Sequence, residues 1–242
     1  MIILDGESLT IEDVGRVAKG KDRVEVSVEA MKRIGLARDT IQRCLQGNHP
    51  VYGVNTGFGA LCDTSIKPEL LSELQHNLVR SHASGTGALF PPEVGRAAML
   101  LRANNFCRGQ SGVRPIIVKT LVAMINQGVT PVVRSSGSLG ASGDLAPLAD
   151  LALVLTGEGR AWFQGESMDG SESLAKARID PLRLEAKEGL ALLNGTAFMT
   201  SMSALTCDSA RRYLEAQNAA AALLLLGFRG TATPYSEGLV EA

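Results

Sequence analysis

The stretch SSGSLGASGDLAPLAD, Ser135 to Asp150, changes character in its middle. Its first nine residues hold four serines and three glycines, and from Leu145 the pattern becomes apolar and helical. Several structures accommodate such a segment. A glycine- and serine-rich turn ahead of a helix can bind phosphate, because unpaired N–H groups and the helix dipole favour anions there. The stretch has no Gly-Lys-Ser/Thr end and no G-x-G-x-x-G spacing, so neither nucleotide-binding loop fits. Asp144 stands where G-x-S-x-G needs its last glycine, which removes the nucleophile elbow. An ordinary loop, with Asp144 capping the helix that follows, remains open.

The rest of the chain sets the frame. Its 242 residues suffice for one large domain or two small ones with a substantial core. A 45% hydrophobic and 20% charged composition is that of a soluble globular protein. The net charge of −1 and the absence of a basic cluster exclude a nucleic-acid partner. Aromatics are only 4%, whereas 26 glycines exceed the usual share of about 7%, a balance suited to helices packed through small side chains. Cys44, Cys62, Cys107 and Cys207 are scattered without metal-ligand spacing, which predicts a reduced, cytoplasmic protein with no metal site. The start, MIILDGESLT, lacks the features of a signal peptide. The run AAAALLLL (219–226) is much shorter than the roughly 18 residues of a membrane span.

Along the chain, Met1–Leu4 reads as a short strand, and Thr10 with Asp13 as a capping pattern for a helix from Ile11. Ser27 caps a second helix with Val28, Met31, Ile34, Ile41 and Leu45 on one face. Pro68 opens a third, striped by Leu70, Leu71, Leu74 and Leu78, and Pro92 and Pro115 open two more that stop near Gly109 and Gly128. Leu145–Thr156 is an apolar helix, Ala161–Ser167 a strand or hairpin arm, and Leu184–Leu193 a short helix closed by an Asn194-Gly195 turn. From Thr196 to Phe228 the pattern is nearly continuously apolar, as for a helix inside a bundle. The predicted class is mainly α.

Ala141-Ser142-Gly143 has chemistry of its own. Attack of the Gly143 nitrogen on the Ala141 carbonyl carbon closes a five-membered ring. Loss of water from that carbon, and then from the Ser142 side chain, leaves an exocyclic alkene conjugated to an imidazolone. Glycine removes the side chain that would obstruct the bend, serine supplies the leaving hydroxyl, and the product is an electrophile that no unmodified side chain offers.

SSGSLGASGDLAPLAD resembles the signature of the aromatic amino acid ammonia-lyases and aminomutases, whose cofactor is this 4-methylidene-imidazol-5-one (MIO). YGVNTGFG (52–59), LQHNLVRSHASGTG (74–87), RANNFCRGQSGVRP (102–115) and GLALLNGT (189–196) resemble further family blocks in the family's order. The resemblance implies an L-aspartase/fumarase-like superfamily architecture. In it, residues 1–195 form a mixed, mostly helical domain carrying the MIO loop, and residues 196–242 begin a central helical bundle. It also implies MIO formed from Ala141, Ser142 and Gly143, no metal or nucleotide, a small aromatic amino acid substrate, and a homotetramer in the complete enzyme.

Roles carry over residue by residue. Tyr52, otherwise a loop aromatic, matches a tyrosine implicated as base for the substrate's β-proton. Because tyrosine ordinarily titrates near 10, that role requires neighbours that lower its pKa. Gly53, Gly57 and Gly59 would let its loop close. His82, which by position is simply a favourable partner for a helix C-terminus, matches with Ser81 the pair that sets ring specificity. Ser-His is typical of members acting on histidine and also occurs in some tyrosine aminomutases. Asn194 matches an asparagine that faces the MIO and the amino acid portion of the substrate, where an amide both donates and accepts. Asp144 caps its helix and supports ring formation, while His49 and His76 are surface or packing residues. A helix N-terminus beside the MIO would stabilise negative charge on its ring.

Family members are longer, so this chain is expected to be an N-terminal half. The remainder of the bundle, a carboxylate-binding arginine and a second active-site tyrosine would lie beyond it, and apolar surface would be exposed on the long helix. The leading expectation is an ammonia-lyase converting L-histidine to urocanate and ammonia, inactive as this chain alone. A tyrosine or phenylalanine ammonia-lyase, or a tyrosine 2,3-aminomutase, is the alternative within the family. A non-catalytic remnant, or half of a split enzyme, is the alternative outside it.

Overall fold

A computed structural model describes residues 1–47, 49–138, 140 and 142–236 of the chain. The architecture is mainly helical. β1 (Ile2–Leu4) pairs in parallel with β2 (Val24–Val26), and α1 (Ile11–Ala18) connects them. Thr10 and Asp13 form the expected capping box, each side chain accepting the other's backbone amide. Ser27 caps α2 (Val28–Gln46) through the Ala30 amide at 3.1 Å. The buried face of α2 departs from the expected stripe. Ile34 and Ile41 are buried, but Val28 is exposed and Arg38 is buried instead. Arg38 is tolerated because its charge is paired: Nη2 donates to Glu185 at 2.6 Å and Nη1 to the Ala186 carbonyl at 3.0 Å.

Pro68–Leu70 forms a 3₁₀ turn ahead of α3 (Leu71–His82), so Leu70 is exposed while Leu71 and Leu78 reach the core. α4 (Pro92–Cys107) and α5 (Pro115–Gln127) each begin at their proline, and Gly128 closes α5 in the left-handed region at φ +80°. β3 (Thr86–Leu89) pairs antiparallel with β5 (Arg134–Ser136). β4 (Thr130–Pro131), β6 (Arg160–Phe163) and β7 (Glu166–Asp169) form a small antiparallel sheet, so the arm expected at Ala161–Ser167 is one hairpin.

α6 (Leu145–Leu155) is followed, after the hairpin, by α7 (Gly170–Lys176). α8 (Glu188–Leu193) begins four residues later than expected, with Lys187 at φ +71° before it. Residues ahead of it are held otherwise: the Leu184 amide donates to His76 Nε2 at 3.1 Å, and the Glu185 amide to the fully buried Glu188 carboxylate at 2.8 Å. Glu188 also receives the Arg114 backbone amide and two nitrogens of its guanidinium.

α4 is the central post. Ala97, Ala98, Met99, Leu100, Ala103 and Phe106 are buried around its circumference, and α1, α5 and the start of α9 (Ala197–Gly227) pack on it. α6 is buried nearly as completely, its alanines admitting the neighbouring helices closely. α9 differs along its length. Phe198 and Ser201 are buried, whereas Leu223, Leu224, Leu226 and Phe228 lie open to solvent.

Candidate active site

Two glycines bring the end of α3 against the serine-rich loop. Gly85 follows α3 and Gly137 follows β5, and a Cβ on Gly137 would lie 3.1 Å from the Gly85 Cα. This close approach, fastened by the β3–β5 pairing, sets His82 beside the segment leading to Ser142. Ser81, His82, Ser138, Ser142 and Gly143 line one cavity of about 290 Å³, between the end of α3 and the opening of α6.

Within it, the Ser81 hydroxyl donates to the Leu78 carbonyl at 2.8 Å, and His82 Nδ1 stands 2.9 Å from the same oxygen. A carbonyl only accepts, so this contact sets the proton on Nδ1 and leaves Nε2 as the acceptor of the neutral ring. Ser81 Oγ lies 3.1 Å from Nδ1, so the pair is one hydrogen-bonded unit locked to the last turn of α3.

The loop at Ser142 turns back on itself. Gly140 and Gly143 pair across it as an antiparallel bridge, both with positive φ, +81° and +90°. Gly143 also pairs in parallel with Gly195, and the Asp144 amide donates to the Gly195 carbonyl at 2.7 Å. A Cβ on Gly143 would lie 2.1 Å from that oxygen, so no other residue fits there. Ala141 lies outside the described residues.

Asp144 occupies the N-cap position of α6, but its carboxylate makes no bond to that helix. This corrects the expected cap. Its Oδ2 accepts instead from the Met199 amide at 2.9 Å, in the first turn of α9. The amide of Ala146 is met by Ser138 Oγ at 3.3 Å, so Ser138 does for α6 what Asp144 does for α9. The openings of two helices therefore flank Gly143. The sequence signal for α9's share was hidden because Asp144 and Met199 are 55 residues apart.

Asn194 ends α8 in an extended conformation, φ −78° and ψ 109°, rather than in a left-handed turn. Its carbonyl accepts from Arg102 Nη2 at 2.6 Å. Arg102 lies inside one of the sequence blocks, yet nothing in its local pattern marks it as the support of this turn.

Tyr52 is 54% exposed and packs edge-on against Phe58, with ring centroids 6.1 Å apart. It is not among the residues lining the cavity at Ser142. Its loop is ordered by Asn55 Oδ1, which accepts from the Val51 amide at 2.7 Å, and by Thr56 Oγ1, which accepts from Gly53 at 3.3 Å. Gly53 and Gly57 are buried at close approaches: a Cβ would lie 2.2 Å from Leu190 Cδ2 at the first and 2.6 Å from Leu61 Cβ at the second. Gly59 has open space around its Cα. His49 is exposed, and His76 is the packing residue that receives the Leu184 amide.

Comparison with known proteins gives this geometry a setting. The family description "Aromatic amino acid lyase" matches residues 9–242. The chain is 44% identical over 239 residues to a histidine ammonia-lyase of Streptococcus sanguinis, covering 99% of this chain and 47% of that protein. It superposes on the crystal structure of a tyrosine aminomutase from Streptomyces globisporus with a TM-score of 0.90 and 39% identity, over 97% of this chain and 44% of the other. A histidine ammonia-lyase from Trypanosoma cruzi gives 0.88 and 37%, over 96% and 45%. The chain spans about half the length of the curated relatives it matches. With a family match over residues 9–242 and 44% identity to a histidine ammonia-lyase over nearly its whole length, the chain belongs to the aromatic amino acid lyase family.

Proposed function

We propose that the chain carries the electrophile-forming half of an ammonia-lyase that converts L-histidine to urocanate and ammonia. The observation that supports this most is that Ser81 and His82 line the same cavity as Ser142 and Gly143. The surroundings suit MIO formed from Ala141, Ser142 and Gly143: the position of Gly143 admits no Cβ, and helices open on either side of it. Once formed, the group supplies an electrophilic carbon, which the elimination of a poor amine leaving group requires.

The chain's own residues then bind and orient. His82, its Nδ1 committed to Leu78, offers Nε2 as acceptor to the N–H of the substrate's imidazole. Asn194 presents an amide to the amino acid portion. Asp144 supports ring formation by holding the loop to α9. Tyr52 takes the β-proton after its loop closes, a motion for which Gly59 has the freedom. Charge developing near Ser142 is stabilised by the openings of α6 and α9. The complete enzyme is a homotetramer with an aromatic amino acid as substrate.

The similarity to a tyrosine aminomutase supports a second reading, in which tyrosine is the substrate. Chromatography of products from L-histidine and L-tyrosine separates the two. The assay uses the chain alone and co-expressed with a chain completing the relatives' length. Urocanate from the co-expressed pair, and nothing from the chain alone, is the expected result. A β-amino acid from tyrosine assigns the chain to the aminomutases, and no product from either arrangement makes it non-catalytic.

A further inference from the structure

Arg102 is a buried cation with no acid beside it among the described residues. It is 4% exposed on α4; Nη2 donates to the Asn194 carbonyl, the guanidinium carbon stands 4.7 Å over the Phe106 ring, and Nε has no partner among the described residues. Arg38 and Arg114, by contrast, meet acids: Arg38 pairs with Glu185, and Arg114 with Glu185 and Glu188. Burial, with no described acid opposing it, pulls the Arg102 pKa down to about 10. An unpaired buried charge is among the costliest features a fold can carry.

Beside it opens a cavity of about 360 Å³, bounded by Arg102, the exposed Arg108, Asn105, Asn194, Thr196 and Thr200 and separate in its lining from the cavity at Ser142. No carboxylate is among its described lining residues. Thr196 and Thr200 belong to the opening of α9, a helix of 31 residues, where backbone amides and the dipole favour negative charge. Gly195 clears the way for the guanidinium: a Cβ there would lie 2.3 Å from Arg102 Nη1.

We infer that the cavity between α4 and the opening of α9 is a binding site for a small oxyanion, a phosphate or carboxylate group, held by Arg102, Arg108 and Thr200. The ion neutralises Arg102, and because Arg102 holds the Asn194 carbonyl, occupancy stiffens the turn to which Gly143 is pinned. Asn194 belongs both to this lining and to the proposed substrate site, but ion binding requires neither ring closure at Ser142 nor turnover, so its failure is distinguishable from a failure of the lyase reading.

The test is a titration of the purified chain with inorganic phosphate, and separately with labelled acetate, followed by line broadening in phosphorus and carbon NMR at constant ionic strength. Saturable broadening by phosphate marks a free phosphate-like ion as the natural occupant. Saturation by acetate alone marks a carboxylate, such as an acidic side chain from another segment. Arg102→Gln is expected to weaken either at least about tenfold, and Arg108→Gln about two- to fivefold. Absence of saturation in the wild-type chain, or equal affinity in wild type and variants, overturns the site. If circular dichroism shows that Arg102→Gln does not fold, Arg108→Gln and Thr200→Val, both at exposed positions, decide: unchanged affinity in both overturns it.

Discussion

The Gly195 carbonyl lies where a Cβ of Gly143 would be, 2.1 Å away, and at the same time accepts the Asp144 amide at 2.7 Å. One oxygen thus dictates both the identity of residue 143 and the position of the loop that contains Ser142.

Gly143→Ala is expected to push the loop off the Asn194–Gly195 turn and abolish ring closure. The readout is the mass of the tryptic peptide from Ser135 to Arg160. A deficit of two waters, roughly 36 Da, is expected wherever the wild-type chain cyclises, and none in the variant. An identical deficit in Gly143→Ala would refute the steric argument.

Asp144→Ala removes the acceptor of the Met199 amide and should lower stability by about 1 kcal/mol, the usual worth of an N-cap. Urea unfolding measures it. Because the cap belongs to α9, amide exchange should accelerate at the start of α9 and not along α6; the reverse pattern would return Asp144 to its own helix.

Stability should fall on mild acidification because of His76. Burial, and then the nearby Arg80 charge, lower its pKa below 6.5, and its Nε2 must stay unprotonated to accept the Leu184 amide. The unfolded state therefore binds the proton more readily. The contribution is complete above the unfolded pKa near 6.5 and is lost as pH falls through the lower folded value. Urea midpoints from pH 7.5 to about 5.5 should decline, and His76→Gln should flatten the decline. An unchanged slope in the variant would show that other groups govern it.

The far part of α9 should make the chain self-associate. Leu223, Leu224, Leu226 and Phe228 are 60–81% exposed on a single stretch, more apolar surface than a solitary soluble helix keeps. Sedimentation is expected to show concentration-dependent association that Leu224→Lys with Leu226→Lys reduces. A monodisperse monomer at high concentration would contradict this.

Much of the scaffold was legible from local signals. The Thr10–Asp13 box, the Ser27 cap, the openings at Pro92 and Pro115, and Gly128 after α5 depend on residues within one turn of each other, so spacing alone locates them. Misreadings cluster where a distant partner overrides the local pattern. Arg38 joins the buried face of α2 because Glu185 pairs its charge and the Ala186 carbonyl accepts from it. α8 starts at Glu188 because Arg114 and His76 hold the residues around and before it.

The sequence by itself determined the helical class, the order of the principal helices and the family, because these reside in residue type and short-range order. Tertiary structure decided which groups meet. It set Ser81 and His82 beside Ser142 through the Gly85–Gly137 approach, turned Asp144 from its own helix to α9, and buried Arg102 beneath the Asn194 turn with no acid beside it among the described residues. Those outcomes depend on close contacts between segments far apart in the chain, and no periodicity or spacing within either segment encodes them.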